Sequence, residues 1–220
     1  NLNDALIGIG GLGTQTAAVG FGGGIPDTNA TEHYDGSTWT NVPGTLTSAR
    51  RYLQGCGTQT AGLTAGGDGT SSNEYDGSSW TAGGAMNTGR PNTGAVSGIQ
   101  THALMSGGGS GGTPVNGKTE EYDGTSWSES GDLNNSRLGL SGAGSQTAAL
   151  GFGGAPGPSG QVLTEKYDGS SWTTTSSLSQ ARFYLSGFGT QASAVAAGGF
   201  SAPSGNLNNT EEFTDTFNAA

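Results

Sequence analysis

The sequence predicts an all-β fold, a five-bladed β-propeller with four antiparallel strands per blade. Three observations predict it. First, Tyr-Asp-Gly-x-x-Trp occurs at Tyr34–Trp39, Tyr75–Trp80, Tyr122–Trp127 and Tyr167–Trp172, and a worn copy, Glu212 to Phe217, closes the series. Second, Gly-Thr-Gln-Thr or a close variant begins at Gly13, Gly57, Gly98, Gly144 and Gly189, at intervals of 44, 41, 46 and 45 residues. A period in the forties with one aromatic phrase per unit marks a radial or stacked β array. Third, a double glycine lies at Gly22-Gly23, Gly66-Gly67, Gly107-Gly108, Gly153-Gly154 and Gly198-Gly199, always at the same distance after the Gln of the second phrase. Such fixed spacing implies a backbone demand, either a positive φ or the close approach of another strand.

The fourth unit shows the strands in order. Ser136–Gly142 mixes apolar residues with glycine and ends at the Gly144-Ser145 turn. Gln146–Phe152 is a second β run, closed by Gly153-Gly154. Ala155–Gln161 holds two prolines and reads as a loop. Val162–Tyr167 is a third run, Asp168-Gly169 a hairpin signal, and Trp172–Thr175 a fourth run. No segment has helical periodicity. Each sheet has two faces to cover, and radial packing lets each blade cover its neighbours. The Tyr and Trp of each unit are the expected filler between blades. The blades are placed at residues 2–45, 46–85, 86–132, 133–177 and 178–220. Small residues in the first strands (Gly8, Gly10, Gly55, Gly94, Ala95, Gly142, Gly187) suit convergence on a narrow axis. Blade five is expected to close on blade one, helped by Asn1–Asp4, with the two ends near each other.

Composition alone, 31% apolar residues and 44 glycines among 220, resembles disorder, but apolar residues recurring at fixed positions overrule that. A net charge of −10 argues against nucleic acid as a partner. No polybasic run and no long apolar stretch points to membrane insertion. The opening Asn1, with no visible signal peptide, reads as a mature form or a piece of a longer polypeptide. Cys56, the single cysteine, occupies the position of Leu12, Ser97, Ala143 and Phe188 in the other units and reads as a small buried filler.

Double Gly, a variable loop, Glu-x-Tyr-Asp, Trp, and an Arg before the next unit together resemble the kelch repeat over nearly the whole chain. The matching arginines are Arg50, Arg90, Arg137 and Arg182, with Leu6 in the first unit. The matching acids are Glu32, Glu120, Glu165 and Glu211, with Asn73 in the second. Phe213 and Phe217 depart from the pattern. The wording of the phrases is similar to kelch-like repeats in structural proteins of marine bacteriophages, which implies a virion or extracellular location. One Arg and one Glu per blade are expected to pair with each other, as buried charges need partners.

The sequence offers little for catalysis. His33 and His102 lack metal-ligand spacing, so no metal or other cofactor is expected. His33 stands where other units carry Glu74, Glu121, Lys166 and Glu212 and reads as a solvated strand position. The kelch-type copper oxidase needs Tyr, His and Cys ligands that this chain does not supply. Asp-Gly-x-x-Trp is similar to the Asp box of sialidases, a structural element there. Binding is the better expectation. The first and third turns share one face and are nearly uniform; the second turns and the linkers share the other and vary. Loops on a rigid scaffold carry recognition, which selects Asp27, Asn29, Asp68, Asn116, Lys118, Gln161 and Asn206. The reading is a non-enzymatic structural or adhesion module that binds a protein partner or surface glycan. Its alternative is a multivalent lectin with one carbohydrate site per blade on the uniform face.

Overall fold

The computed structural model describes residues 1–92, 94–109, 115–202 and 204–214. It is all-β, without a helix among these residues, and its five antiparallel blades form a β-propeller. Blade one holds β1 (Gly10–Thr14), β2 (Ala17–Phe21), β3 (Thr31–Tyr34) and β4 (Trp39–Val42). Blade two holds β5 (Gln54–Thr58), β6 (Ala61–Ala65), β7 (Ser72–Tyr75) and β8 (Trp80–Ala82). Blade three holds β9 (Ala95–Ile99), β10 (His102–Ser106), β11 (Thr119–Tyr122) and β12 (Trp127–Ser130). Blade four holds β13 (Leu138–Gly144), β14 (Ala149–Ala155), β15 (Thr164–Tyr167) and β16 (Trp172–Thr174). Blade five holds β17 (Ser186–Gly189), β18 (Ser193–Ala197) and β21 (Thr210–Thr214), and its second turn carries a hairpin of β19 (Phe200–Ser201) and β20 (Gly205–Asn206). Its expected fourth strand, with Phe217, lies outside the described residues, as does part of the Gly109–Lys118 loop.

Within each blade consecutive strands pair as a meander. The first strands line the axis, β1 beside β5, β5 beside β9, β9 beside β13, and β13 beside β17. The core is split into four clusters, one between each pair of blades that follow one another. Tyr75, Tyr122 and Tyr167 with Trp80, Trp127 and Trp172 are the buried wedges. Burying each ring contributes about 1.5–3 kcal/mol. Each indole also donates a hydrogen bond into the preceding blade: Trp80 to Thr31 (3.0 Å), Trp127 to Ser72 (3.4 Å), Trp172 to Thr119 (2.9 Å).

The two phrases and the double glycine serve the same interfaces. Gln59 Nε2 donates to the carbonyls of Ala18 and Tyr34 in blade one, both at 3.0 Å. Gln100, Gln146 and Gln191 repeat the bridge one blade further each time. In the first four pairs the second glycine donates its N–H to the carbonyl of the next blade's arginine, as Gly154 does to Arg182 at 2.9 Å. The first glycine has a positive φ, and a Cβ at Gly153 would lie 2.8 Å from that same carbonyl oxygen. The expected backbone demand is therefore both a positive φ and a close approach.

The Arg and Glu residues of blades three, four and five pair inside their own blade. Arg90–Glu120 (3.0 Å) and Arg137–Glu165 (2.9 Å) are fully buried, and Arg182 meets Glu211. Blade two, which has Asn73 for Glu, lets Arg50 divide itself between Asn73 (2.7 Å) and Asp68 (3.3 Å). These pairs fasten the linker to the third strand. Cys56 is buried as expected.

Two expectations need correction. His33 is not a simple solvated position: its Nε2 meets the hydroxyl of Tyr75 at 2.7 Å, between blades one and two. That is the place Glu74 and Glu121 take toward Tyr122 and Tyr167. Among the described residues the hydrogen bonds of Asn3 stay within blade one. It donates from its backbone and side chain to Glu32 of its own blade, as Asn87 does to Glu120 and Asn134 to Glu165.

Candidate functional site

The site grows from one repeat position, two residues after the linker arginine. It is occupied by Gly8, Tyr52, Asn92, Gly139 and Tyr184. Here the chain turns from the linker into the innermost strand, at the mouth of the axis on the variable face. In four of the five units the turn takes a left-handed residue: Gly8 has φ +65° and Gly139 φ +63°. Tyr52 and Tyr184 adopt the same conformation, with φ +57° and +53°. A bulky L-residue there costs about 1–3 kcal/mol, and such strain clusters where a side chain must be held in place for a purpose.

Each tyrosine is pinned over the glycine of the preceding blade. Tyr52 N donates to Gly8 O (2.8 Å) and Tyr184 N to Gly139 O (2.7 Å). A Cβ on either glycine would sit 3.0 Å from the tyrosine Cδ1 above it, so the glycines make room for the rings. The two rings stack with centroids 6.1 Å apart and planes 21° apart. Beneath them the axis opens into a cavity of about 330 Å³, lined by Leu53, Gln54, Leu140, Leu185 and Ser186 along with the tyrosines and Gly8.

Polar groups border the rings. Asn92 Nδ2 donates to the Tyr184 hydroxyl at 3.1 Å. The Arg51 guanidinium lies 5.3 Å from the Tyr52 centroid and pairs with Asp27 at 3.5 Å. On the other flank Phe183 meets Tyr184 (4.8 Å) and Phe200 (5.4 Å), and an open groove runs from these rings to Asn206 and Leu207. Tyr184 and Phe200 are exposed. The arrangement offers flat apolar surfaces edged by donors and acceptors, a surface suited to a ligand with both apolar faces and hydroxyls.

The structure divides the seven residues selected from the sequence. Asp27, through Arg51, and Asn206, in the groove, belong to this mouth. Asn29 is spent on Leu46 O (3.3 Å), Asp68 on Arg50, and Asn116 on Arg90 (3.3 Å) and the Lys118 N–H. Lys118 pairs with Asp132 at 3.0 Å. Gln161 bridges to Arg182 through its backbone. Tyr52, Tyr184, Asn92 and Arg51 escaped the sequence reading. The available signal was a repeat position that holds Gly in two units and Tyr in two others, which is unusual because only Gly is at ease with a positive φ.

The uniform face is built differently. Asp35 Oδ1 accepts N–H bonds from Ser37 and Thr38, both at 2.8 Å, and the same turn recurs at Asp76, Asp123 and Asp168. These bonds hold the Asp35 carboxyl well below the usual carboxylate range. The side chains of Gln59, Gln100, Gln146 and Gln191 are spent on neighbouring blades. Among the described residues no group of His, Cys, Asp and Glu could hold a metal ion.

No family model matches the chain, and no curated protein matches it. Among solved structures YjhT superposes with a TM-score of 0.84 over 98% of this chain and 83% of its own, at 13% identity. At that identity the likeness carries the fold alone: this chain is a five-bladed β-propeller similar in architecture to YjhT.

Proposed function

We propose that the chain is a non-enzymatic adhesion or structural module of a virion or extracellular polypeptide, and that it binds a surface glycan at the axial mouth of its variable face. The observation that carries this reading is the pair Tyr52 and Tyr184, two exposed or half-buried rings held at positive φ where two other blades use glycine. Pyranose rings present a C–H face that packs on aromatic carbon, and their hydroxyls suit Asn92, Asn206 and Arg51 around the edge. The net charge of −10 disfavours polyanionic ligands. A multivalent lectin on the uniform face has less support, because its polar turn residues are already engaged in holding the turns and blades together.

A glycan array with the wild-type chain, followed by native mass spectrometry on any hit, tests the proposal. One sugar per chain, lost in Y52A/Y184A, is the expected result. About five sugars per chain, retained in that variant, would support the lectin reading instead, and an array without hits would remove the glycan.

A further inference from the structure

Four interfaces in this molecule obey one contact scheme, and the fifth does not. Each following blade sends forward a Gln, a Tyr or Phe and, in the described residues of three interfaces, a Trp. Each preceding blade answers with two carbonyls, a Thr or Ser, a polar side chain facing the ring, and a glycine N–H. Blade one has the forward set in Gln15, Tyr34 and Trp39, yet among the described residues none of their side-chain polar atoms has a hydrogen-bond partner. Trp39 and Tyr34 are partly exposed, whereas Trp80, Trp127, Trp172, Tyr75, Tyr122 and Tyr167 are buried.

Blade five carries the matching answers, also unused. Among the described residues the carbonyls of Ala194 and Phe213 accept from no glutamine, and the Gly199 N–H donates to no arginine carbonyl. Phe188 is 58% exposed, while Cys56, Ser97 and Ala143 at its repeat position are buried. That position points to the next blade: Cβ atoms added at Gly62 and Gly142 would strike Leu12 and Ser97. The close neighbourhood of successive first strands also has no equal between β17 and β1.

We propose that this seam takes a further four-stranded repeat of the same kind. Its Gln, Tyr and Trp would enter blade five, and its Thr or Ser, acid and paired carbonyls would receive Gln15, Tyr34 and Trp39. The complementarity is specific, because both exposed faces display halves of a scheme that the chain itself completes four times. Phe188 adds an apolar surface that a packed sheet would cover.

The test appends a copy of residues 86–132 after residue 220 and follows hydrogen exchange of the 31–42 segment. A control carries the appended copy with its Gln, Tyr and Trp changed to Ala. The expected result is exchange at least about tenfold slower in the fusion than in the 220-residue chain, with little slowing in the control. Equal protection by both copies, or by neither, would overturn the proposal. So would a 220-residue chain whose 31–42 segment is already as protected as 72–82. Sedimentation separates the remaining occupant: self-association of the unfused chain that protects 31–42 would assign the seam to a second copy and contradict a further repeat.

Discussion

Lys166 lies over the ring of Phe213, its Nζ 5.9 Å from the centroid, at the position where the other interfaces join a tyrosine hydroxyl to Glu74, Glu121 or His33. The two departures from the repeat compensate one another. A ring without a hydroxyl cannot donate to a carboxylate, but its face attracts a cation. K166E is expected to destabilise by about 0.5–2 kcal/mol, and K166E/F213Y to recover most of that. Urea denaturation of the two single variants and the double variant measures the coupling; strict additivity would contradict it.

The buried pair Arg137–Glu165 makes a stronger prediction. Glu165 also accepts two bonds from Asn134, both at 2.8 Å, so removing its charge leaves a guanidinium buried and unpaired. E165Q is expected to cost about 3–5 kcal/mol, while R137M/E165L costs less than E165Q alone. Chemical denaturation orders the variants.

Stability should fall in acid through the Asp-Gly turns. The N–H of Ser171, with the hydroxyl and N–H of Ser170, holds the Asp168 carboxyl at about 2, against 3.8 for a free one. The fold thus binds this proton less readily than the unfolded chain does. The contribution is whole above the unfolded value and is lost as pH falls toward 2. Thermal unfolding of D168N should lie below wild type at pH 6, and the gap should close near pH 2.

Burial pushes the Cys56 thiol up to about 12. A thiolate reagent at pH 8 is therefore expected to leave it unmodified in the native chain and to label it only after denaturation. Labelling of the native chain at the rate of a free thiol would contradict its place in the core between blades two and three.

Y184G separates function from structure. Glycine is the residue at the matching positions Gly8 and Gly139, so the backbone strain of Tyr184 would vanish. Its stability is expected to hold or to rise by about 1 kcal/mol while sugar binding is lost. A large loss of stability would make Tyr184 a packing residue instead.

The repeat was legible because its wedges are large and periodic. Tyr-Asp-Gly-x-x-Trp locates the third turn and the two flanking strands of four blades, and the double glycine locates the close approach of the next linker. The mouth was not legible for a physical reason. Tyr52 and Tyr184 occupy a position that repeats in four of the five units as a backbone shape, φ near +60°, and not as a residue type. Their meeting depends on two blades converging at the axis, which no local spacing encodes. The variable loops also misled in part: Asp68 and Asn116 look like free loop polar groups, yet they complete the coordination of buried Arg50 and Arg90.

The most direct test places the ligand among the six tyrosines. In a chain carrying ring-labelled tyrosine, titration with a glycan hit should shift the NMR signals of Tyr52 and Tyr184 and leave those of the wedges Tyr75, Tyr122 and Tyr167 in place. Binding that leaves Tyr52 and Tyr184 unmoved would contradict a ligand site at the mouth of the axis.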